Sequence, residues 1–185
     1  LLTLSLGGTF GLSQEWITLE GSRASRDGAL GGYDAFVGVL PENALALNLY
    51  ANRTQSILSR ELAGRDDVRT ENRGATLFAR QLVFPSSLTV RQEREREESR
   101  TAGVVARRDN RKNVLTYEGQ RGWFNNEADV RYEFIDEIDA AAADFGYHSH
   151  ELSVAHDIDF GSELNRHLNS QARFFNRSGA IDLAI

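Results

Sequence analysis

Three imidazoles, His148, His150 and His156, fall on alternate positions of the segment Tyr147 to Phe175, where side chains sharing one strand face could bind a transition metal. Strand rise sets His148 and His156 roughly 26 Å apart, so only His148 and His150 are local to each other. No carboxylate shares their face nearby, and ordinary surface or interfacial histidines are the simpler account. On the other face Glu151, Asp157 and Asp159 form an acidic row that could bind a cation or line a pore. Arg173 and His167 fall opposite that row, which favours a cross-strand charge ladder. The Glu/Arg run from Arg91 to Arg100 could meet a charged partner, although mixed-sign runs are usually solvated faces. Gly28 to Gly32 precedes a strand and lacks the GxGxxG and GxxxxGK[ST] forms, so no phosphate cradle is expected there. The chain has no GxSxG, no HExxH and no cysteine. These residues give no catalytic, cofactor-binding or metal-binding site, and a protein that is not an enzyme and carries no cofactor is expected.

The histidines and acids need a strand pair to hold them, and Tyr147 to Phe175 reads as one long β-hairpin. His148, His150, Leu152, Val154, His156, Ile158 and Phe160 share one face, while Ser149, Glu151, Ser153, Asp157 and Asp159 share the other. A three-residue turn, Gly161-Ser162-Glu163, pairs Phe160 with Leu164, Leu152 with Ala172 and His150 with Phe174. It also sets Glu151 against Arg173 and Asp157 against His167. A two-residue turn would put Phe160 against Glu163 and Leu152 against Gln171, exchanging faces, so the longer turn is preferred. Strands of about 13 residues are more than twice the usual globular length.

Similar units recur along the chain. Leu2, Leu4 and Leu6 alternate with Thr3 and Ser5, and the run resumes at Trp16 to Leu19, which predicts a hairpin turning near residue 12. Gly21 to Gly32 reads as a loop. Strands are expected at Tyr33 to Leu40 and Ala44 to Arg53 around a tight turn at Pro41-Glu42-Asn43. Thr54 to Arg73 reads as a long polar loop centred on Gly64 to Asp67 and flanked by strand extensions, followed by a strand from Arg73 to Phe84 and a turn at Pro85-Ser86. Leu88 to about Ser99 starts as a strand and becomes wholly charged, where i,i+3 and i,i+4 Glu/Arg pairs would also support a helix. Thr101 to Lys112 reads as a loop bending at Asp109-Asn110, and Val114 to Gly119 pairs with Trp123 to Phe134. Ile135 to Gly146 reads as a loop or a helical turn or two, and a last strand begins at Ala180. Short turns thus fall near 12, 42, 86, 121 and 162, and longer connections near 27, 63, 105 and 141. One tight turn per repeat suits an up-and-down meander of about eleven strands better than a propeller blade, which needs three.

Composition is compatible with one such unit. The 185 residues are 41% hydrophobic and 26% charged, too balanced for a disordered chain. A net charge of -6 disfavours non-specific nucleic-acid binding. The chain begins LLTLSL, ends AIDLAI and contains no methionine, so residues 1–185 are expected to be a single β-meander segment truncated at both ends.

At GYDAFVGVLPENALALNLYANRTQ, at RGATLFARQLVFPSSLTVRQERE and at the terminal hairpin, the chain resembles a Gram-negative outer-membrane β-barrel of the large, porin-like kind. The resemblance implies an all-β antiparallel meander of long hairpins forming part of a β-barrel, with outer-membrane lipid as its surroundings. It implies a passive channel or membrane scaffold whose polar rows, such as Asn125, Glu127, Asp129 and Arg131, face a lumen. Small polar solutes or a partner protein are the expected partners, and nucleic acid is not. Trp16, Tyr33, Trp123, Phe124, Phe174 and Phe175 would form aromatic girdles near strand ends, or core in a soluble sheet. His148, His150, His156 and Arg166 interrupt the row that would meet lipid, and Arg91 to Arg100 would project beyond the membrane. The alternative is a soluble periplasmic or extracellular all-β module that binds a ligand or partner.

Overall fold

Alternating side chains and few helix-forming runs leave the backbone one economical way to satisfy its hydrogen bonds, which is a ladder of long strands. The computed structural model describes residues 1–19, 22–60, 64–101, 104–139, 146–161, 163–164 and 166–180. Nine strands are found among them: β1 (Leu2–Leu19), β2 (Ser22–Val39), β3 (Leu45–Arg60), β4 (Gly64–Ala79), β5 (Ser86–Thr101), β6 (Val104–Trp123), β7 (Asn126–Asp139), β8 (Gly146–Phe160) and β9 (Arg166–Ala180). Each pairs antiparallel with its sequence neighbour in the order β1 to β9, and β1 is not paired with β9. The fold is an all-β up-and-down meander in one sheet that is not closed. A 16-residue strand such as β3 is about 53 Å long, roughly twice a 25 Å apolar membrane band before tilt is counted.

Several sequence expectations are overturned. The turn near residue 12 is absent because β1 runs unbroken to Leu19, and the Gly21 to Gly32 loop is instead strand β2 from Ser22 onward. Glycine there marks close approach, not a bend: the Asp34 carboxylate occupies the space that a Cβ on Gly7 would need, and a Cβ on Gly32 would lie 2.7 Å from the Arg53 carbonyl oxygen. The polar stretches 54–73 and 101–112 are likewise strand almost throughout, pairing β3 with β4 and β5 with β6. The strand expected from Leu88 to about Ser99 is borne out, because the charged run from Arg91 to Arg100 lies within β5 and not in the competing helix. Trp123 ends β6 and the turn falls at Phe124 and Asn125, a few residues later than expected. Ile135 to Asp139 is strand, while the rest of that expected loop or helix, 140–145, and the last strand beyond Ala180 lie outside the described residues. Polarity had suggested loops, but a strand projecting into water is polar on both faces.

The Pro41 turn is borne out. Asn43 N–H donates to the Leu40 carbonyl at 3.0 Å, with Leu40 at φ 51°. In the last hairpin Phe160 faces Arg166, not Leu164, so the connection is longer than three residues. Gly161 at φ 101° and Leu164 at φ 53° have left the strand conformation, and Leu164 N–H turns back to the Gly161 carbonyl at 3.3 Å. Two added residues keep the parity, so the expected faces survive while the partners move: Leu152 meets Phe174, His150 meets Asn176, Glu151 meets Phe175 and Asp157 meets Asn169.

The sheet curls toward one face. Phe78 of β4, Ser87 of β5, Glu118 of β6, Asp129 of β7, Ser153 of β8 and Gln171 of β9 all line one cavity of about 500 Å3. Six flat strands would spread over about 24 Å, whereas a cavity of that volume is about 10 Å across, so the strands wrap around it. Ala46, Val114 and Ser149, the buried side chains among the described residues, lie on this inner face. Inner-face glycine admits large rings: Tyr50 packs over its cross-strand partner Gly74, where a Cβ would stand 2.6 Å from both the ring and the Val90 carbonyl oxygen. Gly74→Val is expected to lower the unfolding free energy by about 1–3 kcal/mol. A denaturant titration with an unchanged midpoint would contradict that packing.

Candidate functional site

Register alone sorts the chain's chemistry between the two faces. On the outer face, the turn ends of the strands carry an apolar band. It comprises Leu2, Leu4 and Leu6 of β1, Val37 and Val39 of β2, Leu45, Leu47 and Leu49 of β3, and Ala75 and Leu77 of β4. It continues through Leu88 and Val90 of β5, Leu115 and Tyr117 of β6, Val130 and Tyr132 of β7, Leu152, Val154 and Ile158 of β8, and Leu168 and Phe174 of β9. Many of these are open to the surroundings, with Leu6 72%, Leu45 57% and Phe174 61% exposed. Phe84 fills one thin place, its ring lying where a Cβ on Gly119 would stand, and Ala128, His156 and Ser170 interrupt the band on β7 to β9.

The inner face at the same height is more polar, with Phe36, Ala46, Tyr50 and Phe78 interspersed. Asn48, Thr76, Thr89, Thr116, Glu133 and Glu151 follow one another from β3 to β8. Thr76 and Thr89 share a hydrogen bond at 3.1 Å. The expected row Glu127, Asp129 and Arg131 lies on this face, while Asn125 sits in the turn and donates to the Asp159 carbonyl at 2.9 Å. Arg131 approaches Glu133 at 3.2 Å and Glu118 at 3.5 Å beside the cavity.

Beyond the band, the charged halves of the strands divide by sign. The outer face carries Arg53 of β3, Arg69 and Arg73 of β4, Arg94, Arg96 and Arg100 of β5, and Arg107 and Arg111 of β6. Asp67, Glu71, Glu98 and Asp109 are the described acids among them, half as many. The inner face there carries Glu93, Glu95 and Glu97 of β5, Glu133, Glu137 and Asp139 of β7, and Glu151 of β8, against Arg91 of β5 and Arg108 and Lys112 of β6. From Glu93 to Glu97 the run alternates glutamate and arginine, a period of two in sign that marked both faces in advance. Treating the run simply as mixed charge missed it.

The arginine side is laced by ion pairs. Arg94 Nε donates to Asp109 at 2.8 Å, Arg96 Nε lies 3.3 Å from the same carboxylate, Arg107 Nε lies 3.2 Å from Glu98, and Arg69 pairs with Glu71. The Arg94 hydrogen bond holds the Asp109 carboxyl below its ordinary range, outweighing the opposing effect of burial, and the charges of Arg94 and Arg96 act in the same direction. Pairs this exposed are worth about 0–1 kcal/mol each.

The residues first singled out are placed as follows. His148, His150 and His156 share the outer face but each meets a different neighbour. His148 Nδ1 is 2.9 Å from Asp136 Oδ1, off the hydrogen-bond axis, and its ring stacks parallel to Phe134. His150 shares a 2.8 Å hydrogen bond with the Tyr132 hydroxyl, and His156 shares a 3.2 Å one with Asn126. Asp136, which does share the face of His148 and His150, comes from β7 and was out of reach of a hairpin considered alone. Glu151 accepts from Arg173 at 2.9 Å despite the shifted register, because the two are diagonal neighbours. His167 lies 3.0 Å from Asp159, its direct partner, and 3.4 Å from Asp157. Tyr33, Trp123 and Phe174 are on the outer face, Phe175 is on the inner face, and Phe124 is 94% exposed at the turn. The Trp16 side chain lies outside the described residues. Compared with protein-family models, curated proteins and solved structures, the chain matches none.

The folded Asp109 carboxyl is more acidic than an unfolded one. Its stabilisation is therefore complete above the unfolded pKa of about 3.9 and is lost as pH falls through the lower folded value. Asp109→Asn is expected to remove that acid-range loss and to cost about 1 kcal/mol at neutral pH. Parallel pH profiles of unfolding for the two proteins would contradict the pairing.

Proposed function

We propose that this chain forms part of the wall of an outer-membrane β-barrel, with the apolar band against lipid and the polar inner face lining an aqueous lumen that acts as a passive channel. The observation that carries the reading is the band of exposed Leu, Val and aromatic side chains on the outer face, opposite an inner face of Asn, Thr, Ser and charged residues at the same height. A soluble protein rarely leaves so large an apolar surface open, whereas hydrocarbon favours it. Backbone groups in lipid must be paired, and at the height of the apolar band strands β2 to β8 are each paired on both edges. The charged halves of the strands would stand outside the hydrocarbon as a sheet-like extension.

The sign of the inner face gives the channel a direction. Along β5 to β8 its acids outnumber Arg91, Arg108, Lys112 and Arg131, so cations would be concentrated in the lumen. Membrane recovery is the first test: the protein should sediment with membranes and need detergent for extraction. Recovery in the soluble fraction without detergent would contradict the barrel and favour a soluble binding module. In planar bilayers, cation-selective conductance steps are expected, with selectivity reduced in Glu118→Gln/Asp129→Asn. Insertion without conductance would make the protein a scaffold instead.

A further inference from the structure

Just beyond the apolar band on the outer face, the ladder sets Arg94 directly across from Arg111, and Arg73 directly across from Gln92 on the neighbouring strand pair. With Tyr33, Ala51 and Glu71, these arginines line a recess of about 370 Å3. Like charges facing each other in a ladder repel, and their surroundings offset this only in part. Asp109 engages Arg94 at 2.8 Å, and Arg69 engages Glu71, the recess's one carboxylate. Arg73 Nε donates only to the neutral Gln92 side-chain carbonyl, at 2.9 Å. Arg111 has no hydrogen-bond or ion-pair partner among the described residues. Both side chains are exposed, so two guanidiniums aim donors outward with no carboxylate to receive them.

The place of this recess gives its occupant. Its floor is Ala51, the cross-strand partner of Arg73, and directly below on the same face run Ala75, Leu77, Val90 and Leu88. Tyr33 supplies an aromatic ring at the rim, the level at which amphipathic rings sit in a membrane interface. A ligand matching both parts has an anionic head beside hydrocarbon tails. We infer that the recess binds the phosphate of an anionic lipid head group through Arg73 and Arg111, with the acyl chains lying along Ala75, Leu77 and Val90. The assignment rests on the lipid-facing role proposed above for the outer face. Phosphate oxygens accept from a guanidinium fork bidentately, and an anion there would relieve the Arg94/Arg111 repulsion.

Electron spin resonance of reconstituted protein separates the two levels of the argument. Spin-labelled phosphatidylglycerol and spin-labelled phosphatidylcholine are each added to phosphatidylcholine vesicles, and the motionally restricted fraction is read. The intact protein should restrict both and prefer phosphatidylglycerol by about fivefold or more. Arg73→Gln/Arg111→Gln should lose most of that preference while still restricting phosphatidylcholine, which certifies that it has inserted. Arg73→Lys/Arg111→Lys should retain a reduced preference, and Arg166→Gln, at the other end of the outer face, should leave it intact. Restriction of neither lipid would overturn the lipid-facing role itself. Equal restriction of both, or a preference unchanged in Arg73→Gln/Arg111→Gln, would overturn the lipid site alone. Loss of the preference to millimolar inorganic phosphate would mean that the recess takes free phosphate, and would overturn the lipid assignment too.

Discussion

Everything in this sheet depends on a parity constraint. Side chains alternate with period two, so one slipped residue in any of the eight ladders would carry a strand's apolar set to the wrong face. The registers keep Leu47 beside Leu77, Leu77 beside Leu88, Leu88 beside Tyr117, Tyr117 beside Tyr132 and Tyr132 beside Leu152. A single slip would set a leucine row against Thr or Asn. The turns serve this constraint more than any particular length, and the last hairpin tolerates added turn residues because two of them restore the same faces.

The same parity sorts charge, with a different consequence at each height. Within the band it separates apolar from polar. In the charged halves both faces are hydrophilic, so alternation separates sign instead: Arg94 and Arg96 go outward, and Glu93, Glu95 and Glu97 go inward. Exposed ion pairs such as Arg107 with Glu98 contribute little energy individually, so the strand extension is held chiefly by backbone ladders. What the arginines gain from their arrangement is a common direction, in which the outer surface just past the band is cationic and the inner one acidic.

How much of this was legible followed from where hydropathy contrast exists. The all-β meander, the Pro41 turn and the two faces of Tyr147 to Phe175 could be read because apolar and polar residues alternate there. The strands through 54–73 and 101–112 could not, because an extended strand in water has no apolar face to report and resembles a loop in composition. Gly28 to Gly32 failed differently: glycine marks bends and close strand approach alike, and the Arg53 carbonyl over Gly32 exists only once β3 is in place. For the recess, Arg73 and Arg111 are 38 positions apart in the chain and meet only through three strands' registers, so no local motif announced them.

The central claim, that lipid meets one face and water the other, can be tested residue by residue because the chain contains no cysteine to compete with an introduced one. Single cysteines at Leu47, Asn48 and Leu49 of β3, and at Leu152, Ser153 and Val154 of β8, would carry spin labels in the reconstituted protein. Collisions with oxygen should peak at 47, 49, 152 and 154, and collisions with a water-soluble nickel complex at 48 and 153. Nickel access equal at all six positions would mean water on both faces of the sheet, and would contradict the account.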